Sequence, residues 1–577
     1  MLRLETCLNA LILLENLFVT GFSEWRDLWV RRLTIGFLVM AIVLGAVEAW
    51  TSRYSMNPDG VQYLDNASAY SNGDFQHALN SQWSPLYPWL IGAWFAVFRA
   101  SPYLEFPLAH FLNFLIYLLS LVAFLFFLKG VLGRIPEETR APAIRTGVLL
   151  IAYSSFLYCS LDFTHLAYVT PDLLVSSFTF LAAGLLLRIA SGSASASRYV
   201  ALGAVLGLGY LAKTPFLVFS VLCLGIAAVL SFKQRSAVAR WCISAAIFTA
   251  IAVPYIWVLS NAKGRFTVGD SGTSNIIWLV NGVPYYNWQG GPSDNGAPIH
   301  PTRQLSSSPA IFEFATPIGG TYPPWYDPTY WSQGARIAFR PGDFARALER
   351  QIQLYGYLVH HRQLPLVFAL ATLFLLSRDK SRIFARTHQF WPVLLLGATP
   401  FAMYAVVHAE GRYLAPFFVL LWTTLMAGLL IGLNESLERR VLLSIVTVAA
   451  ALMLVEAVAV TPVAAEPARL QYEIAERTQT LGLRRGDPVA IVTGDLDYFW
   501  ARLVGARITM QVDFGGLKFG KSACPECQKL SPEWAKAKQI LAANGVVLVV
   551  SPCISGVVDQ PGWQKLGATG AFAYRLQ

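Results

Sequence analysis

Four short segments of this chain gather acidic, basic and turn-forming residues in patterns that can do chemistry. The first is Asn57-Pro58-Asp59-Gly60-Val61-Gln62-Tyr63-Leu64-Asp65, with Asp74, His77, Asn80 and Trp83-Ser84-Pro85-Leu86-Tyr87-Pro88 behind it. Pro58 and Gly60 bracket Asp59 and put its carboxylate on a tight turn, where partial desolvation would raise its basicity and let it take a proton from a hydroxyl. The plainer reading is a helix cap. The second segment is Tyr168-Val169-Thr170-Pro171-Asp172, with Asp162 and His165 just before it. Asp172 either complements a helix dipole or, as an ionisable group at the mouth of an apolar helix, marks a site. The third is His408-Ala409-Glu410-Gly411-Arg412-Tyr413-Leu414-Ala415-Pro416. Arg412 can snorkel to an interface, or it can present a planar fork of donors to a phosphate oxygen. Lys213, in Leu211-Ala212-Lys213-Thr214-Pro215, invites the same two readings. Carboxylates that activate a nucleophile and cations that receive an anionic leaving group are the parts of a substitution on a phosphate-linked substrate. Two carboxylates can also bind a divalent cation, although the spacing here defines no ligand set.

The elements that must position these residues are membrane spans. Of 577 residues, 55% are hydrophobic and 14% charged, a balance that excludes an ordinary soluble globule. The net charge of +10 does not indicate a nucleic-acid partner, because the basic residues fall in short clusters between apolar runs instead of lining one face. Runs near 33–50, 107–128, 143–161, 173–190, 199–212, 214–232, 241–259, 363–377, 390–407, 413–433 and 441–460 give about eleven crossings. The 86–98 stretch is too short to cross and suits a helix along or dipping into the interface. Basic clusters mark the cytoplasmic side. Arg26, Arg31 and Arg32; Lys129, Arg134, Arg140 and Arg145; Arg188 and Arg198; Lys233, Arg235 and Arg240; Arg378, Lys380, Arg382 and Arg386; and Arg439 with Arg440 all fall on that one side if eleven crossings hold.

This layout predicts a cytoplasmic amphipathic lead-in over 1–32, a membrane domain over 33–460 with non-cytoplasmic loops 51–106 and 260–362, and a non-cytoplasmic soluble domain over 461–577. All four candidate segments then reach one membrane face. The aromatic stretch Tyr322 to Trp331 reads as an ordered irregular loop. The tail alternates helix near 468–481, strands at 489–493 and 508–512, helix near 532–544 and strand at 546–550, a small α/β domain without a phosphate-binding glycine fingerprint. Cys524 and Cys527, with Cys553 further on, support zinc only weakly; a disulfide fits better in an oxidising compartment, and unconnected thiols remain an alternative.

On Asp59, the Trp83 to Pro88 segment, Pro171-Asp172 and Glu410-Gly411-Arg412-Tyr413 with its trailing Pro416, the chain resembles the polyprenyl-phosphate-dependent glycosyltransferases of the GT-C fold, in particular the protein O-mannosyltransferase and lipid A aminoarabinose transferase group. The resemblance spans most of the membrane part. It implies a GT-C-like α-helical polytopic membrane protein with a small C-terminal α/β extracytoplasmic domain, set in a bacterial-type inner membrane. It implies an inverting transfer of a sugar from a polyprenyl-phosphate donor to an extracytoplasmic acceptor, with Asp59 as base and Asp172 as the second acidic residue. Arg412 and Lys213 would neutralise the phosphate, with Tyr63, His77, Trp83, Glu410 and Tyr413 as further binding candidates. Relatives often carry a Lys where this chain has Ser84, which weakens a phosphate contact from that loop and leaves His77 as its substitute. The alternative is a transporter or flippase of lipid-linked saccharides, which would show internal repeats and mid-span charge. A membrane scaffold that displays the tail would need no paired charges at span mouths.

Overall fold

The computed structural model describes residues 28–137, 141–192, 195–232, 235–285, 287–290, 295–314, 316–433, 439–460, 465–492, 498–513, 534–551 and 562–576. Most of the lead-in, Cys524, Cys527 and Cys553 lie outside them.

Every apolar run read from the sequence is helical, and the chain is an integral multi-pass membrane protein. The membrane helices are α1 (Leu28–Thr51), α4 (Pro102–Leu132), α5 (Ala141–Tyr158, continuing as π-helix Cys159–Thr164), α6 (Asp172–Ala190), α7 (Ala196–Ala212), α8 (Phe216–Ser231), α9 (Arg235–Lys263), α11 (Leu364–Leu376), α12 (Trp391–Ala405), α13 (Gly411–Gly432) and α14 (Arg439–Val460). Among the described residues seven of these are long and apolar enough to cross a bilayer. An eighth is added if α11 is joined to α10 (Pro341–Arg362), from which it bends by 80°. The expected eleven would need the shorter α7, α8, α11 and α12 to cross as well. Their brevity has a local cause: Pro215 sits in the turn between α7 and α8, and Pro365 and Pro392 open α11 and α12, where a missing N–H costs nothing.

Between α1 and α4 lie two helices of more than one turn, besides the short Phe75–Ala78. The first, α2 (Pro58–Ser71), starts where Asn57 is extended (φ −128°, ψ 158°) and Pro58 presets the helical φ, and it stops before Gly73, whose φ of 73° suits the left-handed region. The second, α3 (Leu86–Phe98), is the 13-residue helix expected at the interface.

The tail is α/β, and its sheet is larger than the tail. After α15 (Ala465–Thr480) come β3 (Pro488–Val492), α16 (Phe499–Val504), β4 (Arg507–Asp513), α17 (Trp534–Ala543), β5 (Leu548–Ser551), β6 (Trp563–Lys565) and β7 (Phe572–Arg575). Two strands of the middle loop, β1 (Arg303–Ser307) and β2 (Ala310–Glu313), complete a seven-stranded sheet of order β1-β2-β4-β3-β5-β7-β6. Its centre, β4-β3-β5, is parallel, and β2 joins β4 antiparallel with Ile311 opposite Val512. Ile311 thereby enters the core of the tail, with Val492, Met510, Trp534 and Leu541. The middle loop and the 461–577 segment share one sheet, so the unit begins well before 461.

Ile311→Ala is therefore expected to destabilise the soluble part by about 2–5 kcal/mol, the cost of a buried large-to-small change. Hydrogen exchange should quicken in β3 and β4, over 488–492 and 507–513, and remain unchanged in the membrane helices.

Candidate active site

The local chain path explains how each charged group arrives. Asn57, not Asp59, holds the N-cap position of α2, which leaves the Asp59 carboxylate in the first helical turn. Pro171 precedes α6 and puts Asp172 at its first position. Lys213 is extended (φ −157°, ψ 125°) in the break between α7 and α8. Glu410 is extended at the head of α13, one residue before the helix begins at Gly411. All four lie at helix ends, where backbone breaks give polar side chains room to turn inward.

They meet around Arg412. Its Nε donates to Glu410 Oε2 at 2.6 Å, its Nη2 donates to Asp59 Oδ2 at 3.2 Å, and its Nη1 lies 3.7 Å from Asp172 Oδ2. Arg412 is 14% exposed, so it does not snorkel outward. Lys213 Nζ donates to Asp172 Oδ1 at 2.5 Å and sits 4.0 Å above the Tyr413 ring. Thr170 Oγ1 donates to Asp172 Oδ2, and Tyr413 Oη donates to Glu410 Oε1. The cluster holds two cations, Lys213 and Arg412, against three carboxylates, Asp59, Asp172 and Glu410.

Burial pushes the Asp59 carboxyl above its ordinary value; the Arg412 guanidinium opposes this, and the Glu410 charge adds to it. Burial would raise Glu410 too, but the hydrogen bond to His408 and the Arg412 charge outweigh it and hold that carboxyl well below the usual range. The two carboxylates are thus pushed apart: one a strong anion, the other a better base.

The cluster lines a cavity of about 170 Å³ whose other walls include Tyr63, Trp83, Trp278, Tyr285, Trp325 and Tyr404. Tyr63 is buried edge-on between Trp83 and Tyr87, and Trp83 Nε1 donates to the Tyr326 carbonyl, which fixes the indole. Asp172, Lys213 and Arg412 also head a narrow cleft between α8, α12 and α13, lined by Phe216, Val218, Phe219, Leu222, Met403 and Phe417. Asp172, Lys213, Arg412 and Tyr413 belong to both spaces.

Not every sequence candidate arrives. His77 bonds Asp74 through Nδ1 and the Pro317 carbonyl through Nε2, and lines a separate cleft of about 510 Å³. It cannot stand in for the lysine absent at Ser84. Ser84 Oγ instead contacts Thr214 Oγ1 at 3.2 Å, beside Lys213, so a different segment brings an ammonium to that neighbourhood. Asp162 pairs with Arg362, and His165 lies 3.6 Å from Glu48, both outside the cavity. Among the described residues no group of three His, Cys, Asp or Glu side chains is arranged to hold a metal ion. No local signal marks Trp278, Tyr285 or Tyr404 as cavity walls, whereas Trp325 belongs to the aromatic stretch Tyr322 to Trp331.

No family model matches the chain, and no curated protein matches it. Solved structures do. ArnT from Cupriavidus metallidurans in the apo state aligns over 94% of this chain and 98% of that one, at 12% identity and a TM-score of 0.50. The same enzyme bound to undecaprenyl phosphate aligns over the same shares at 13% identity and a TM-score of 0.50. The archaeal oligosaccharyltransferase AglB from Archaeoglobus fulgidus, in complex with an inhibitory peptide and a dolichol-phosphate, aligns over 92% of this chain and 70% of that one, at 13% identity and a TM-score of 0.43. The likeness to ArnT shows the fold: the GT-C-type architecture expected from the sequence is the one this chain has.

Two stability effects follow from the cluster. Arg412→Gln leaves partly buried carboxylates without their shared cation and should cost about 3–5 kcal/mol. Asp59→Asn should act in the opposite sense. With its folded pKa raised, Asp59 contributes stability below about pH 4, its ordinary range, and that contribution is lost as pH rises through the folded value. At neutral pH the Asn variant should melt at or above the wild-type temperature in detergent, and the gap should close toward pH 4.

Proposed function

We propose that this chain is a membrane glycosyltransferase that moves a sugar from a polyprenyl-phosphate donor to an extracytoplasmic acceptor, with inversion at the sugar carbon. The observation that carries the reading is the shared position of Lys213 and Arg412 between an apolar cleft and a polar aromatic cavity. An amphiphile with a long hydrocarbon tail, a phosphate and a sugar has this same sequence of environments. The neighbouring ArnT structure bound to undecaprenyl phosphate lends the lipid assignment further support.

The reaction follows from charge. The donor phosphodiester lies against Lys213 and Arg412, its tail in the cleft and its sugar among Trp83, Tyr63 and the other rings. An acceptor hydroxyl approaches Asp59, whose burial has made it a better base. As the new carbon–oxygen bond forms, the hydroxyl proton passes to Asp59 and the bond from the sugar carbon to the phosphate oxygen breaks. The lipid phosphate gains a negative charge at the moment Asp59 loses one. Arg412 Nη2, which donates to Asp59 beforehand, becomes free to donate to the departing phosphate. A single in-line displacement inverts the sugar carbon. Asp172 keeps Lys213 and Arg412 in place, and Glu410 with Tyr413 orients Arg412. The basic loops support an inner-membrane orientation in which the cavity, both long loops and the C-terminal domain face away from the cytoplasm.

In nanodiscs loaded with a labelled polyprenyl-phosphate sugar, with cell-envelope extract as the acceptor source, Asp59→Asn should slow transfer by roughly 10²–10⁴-fold while undecaprenyl phosphate still binds. Arg412→Gln should weaken that binding and slow transfer by about 10²–10³-fold. Transfer at the wild-type rate by Asp59→Asn would refute Asp59 as base. Lipid translocation without any transfer would favour a carrier. The rate should fall toward acid with an apparent pKa above the ordinary carboxylate value of about 4.

A further inference from the structure

Helix α2, which carries Asp59, is anchored from behind. Asp65 follows Asp59 by a rotation of about 240° and a rise of about 9 Å, so it faces away from the cavity. There Arg502, on α16 of the C-terminal domain, donates from Nη1 to Asp65 Oδ1 at 2.7 Å and from Nη2 to Ser68 Oγ at 2.7 Å, both on α2. The same guanidinium takes the two oxygens of Glu105, on α4, at 2.8 and 3.0 Å. Thr321 of the middle loop closes the set: its N–H donates to Asp65 Oδ2 at 2.7 Å and its hydroxyl to Oδ1 at 2.9 Å. One turn earlier Gln62 Nε2 donates to Tyr498 Oη, beside α16, at 2.8 Å. At the other end of the helix Asn57 Oδ1 accepts from Val169 N at 2.9 Å, on the segment that leads to Asp172.

We propose that Arg502 is a positioning residue for Asp59, and that holding the base-bearing helix in register is what the C-terminal domain contributes to the reaction; the proposal rests on the reading of Asp59 as base. The argument is one of cost against direction. Arg502, Asp65 and Glu105 are 13%, 3% and 12% exposed, and taking three ions out of water carries a desolvation penalty that pairing must offset. Apolar side chains of similar volume commonly hold a fold equally well. A planar guanidinium fork adds fixed distances and angles, which apolar contact does not. Applied to the back of α2, that geometry sets the roll of the helix about its axis. A roll of one residue, about 100°, would carry Asp59 away from Arg412 and the cavity. The middle loop and the tail thus converge on Asp65 of α2.

The test uses the full-length protein in nanodiscs and compares the wild type with Arg502→Lys, which keeps the charge and loses the fork, and with the triple variant Arg502→Met, Asp65→Asn, Glu105→Gln, which leaves no ion unpaired. Both should melt within a few degrees of the wild type and bind undecaprenyl phosphate within twofold, yet transfer at least tenfold more slowly. The apparent pKa on the acid side should move down toward the ordinary carboxylate range as Asp59 gains water. A triple variant with wild-type rate and pH profile would overturn the proposal, since the ions would then only satisfy one another. Loss of phosphate binding in step with the rate would overturn it too, because the damage would be general. Asp59→Asn is run alongside: if it transfers normally, the base reading fails, whatever Arg502 does.

Discussion

The guanidinium of Arg412 holds together carboxylates from three stretches of chain, Asp59 of α2, Asp172 of α6 and Glu410 at the head of α13. Without a shared cation these groups could not stand so close, because like charges in a partly desolvated space repel strongly. With it they stand at different basicities. Glu410, tied to Arg412 and His408, stays a firm anion, while Asp59 has a longer contact and a raised affinity for a proton. The cluster has one more carboxylate than it has cations, which leaves an excess of negative charge. In the proposed reaction, proton transfer to Asp59 would relieve that excess as the leaving phosphate takes on charge, joining base and leaving-group chemistry through the Arg412 side chain.

Where the cluster sits matters as much as what it contains. Each charged residue is at a helix terminus or in a break: Lys213 between α7 and α8, Asp172 just after Pro171, Arg412 in the first turn of α13. A charge at mid-span would face hydrocarbon and would need a far costlier partner set. At the ends, Asp172, Lys213 and Arg412 border an apolar cleft on one side and an aromatic, hydrogen-bonding cavity on the other. Short helices and proline breaks are therefore part of the site, even though they blur the count of crossings.

The parts outside the spans form a brace. The middle loop gives two strands to the sheet of the C-terminal domain and Thr321 to Asp65, while the C-terminal domain gives Arg502 to α2 and α4. Two chain regions separated by several membrane helices thus fold as one unit. Its polar contacts reach the helix that carries Asp59 through Arg502, Thr321 and Tyr498, and α4 through Arg502 and Tyr472.

What the sequence determined by itself was everything governed by local pattern. Apolar runs gave the membrane helices, alternation gave α15, β3, β4, α17 and β5 of the tail but not α16, β6 or β7, and Pro or Gly beside Asp59, Asp172 and Glu410 marked charged residues at helix mouths. Hydropathy and periodicity are properties of neighbours in the chain, so they can be read from it. Tertiary structure alone decided which of those charges meet. Arg412 and Asp59 are 353 residues apart, and Arg502 and Asp65 are 437 apart. His77, the candidate substitute for a lysine at Ser84, and Asp162, beside the Pro171-Asp172 segment, are turned instead toward Pro317 and Arg362. The strand β2, paired locally with β1, belongs to the sheet of the tail only through β4, which lies nearly two hundred residues on, at 507–513. Long-range pairing is set by how faces pack once the chain has closed on itself, and no local signal carries that information.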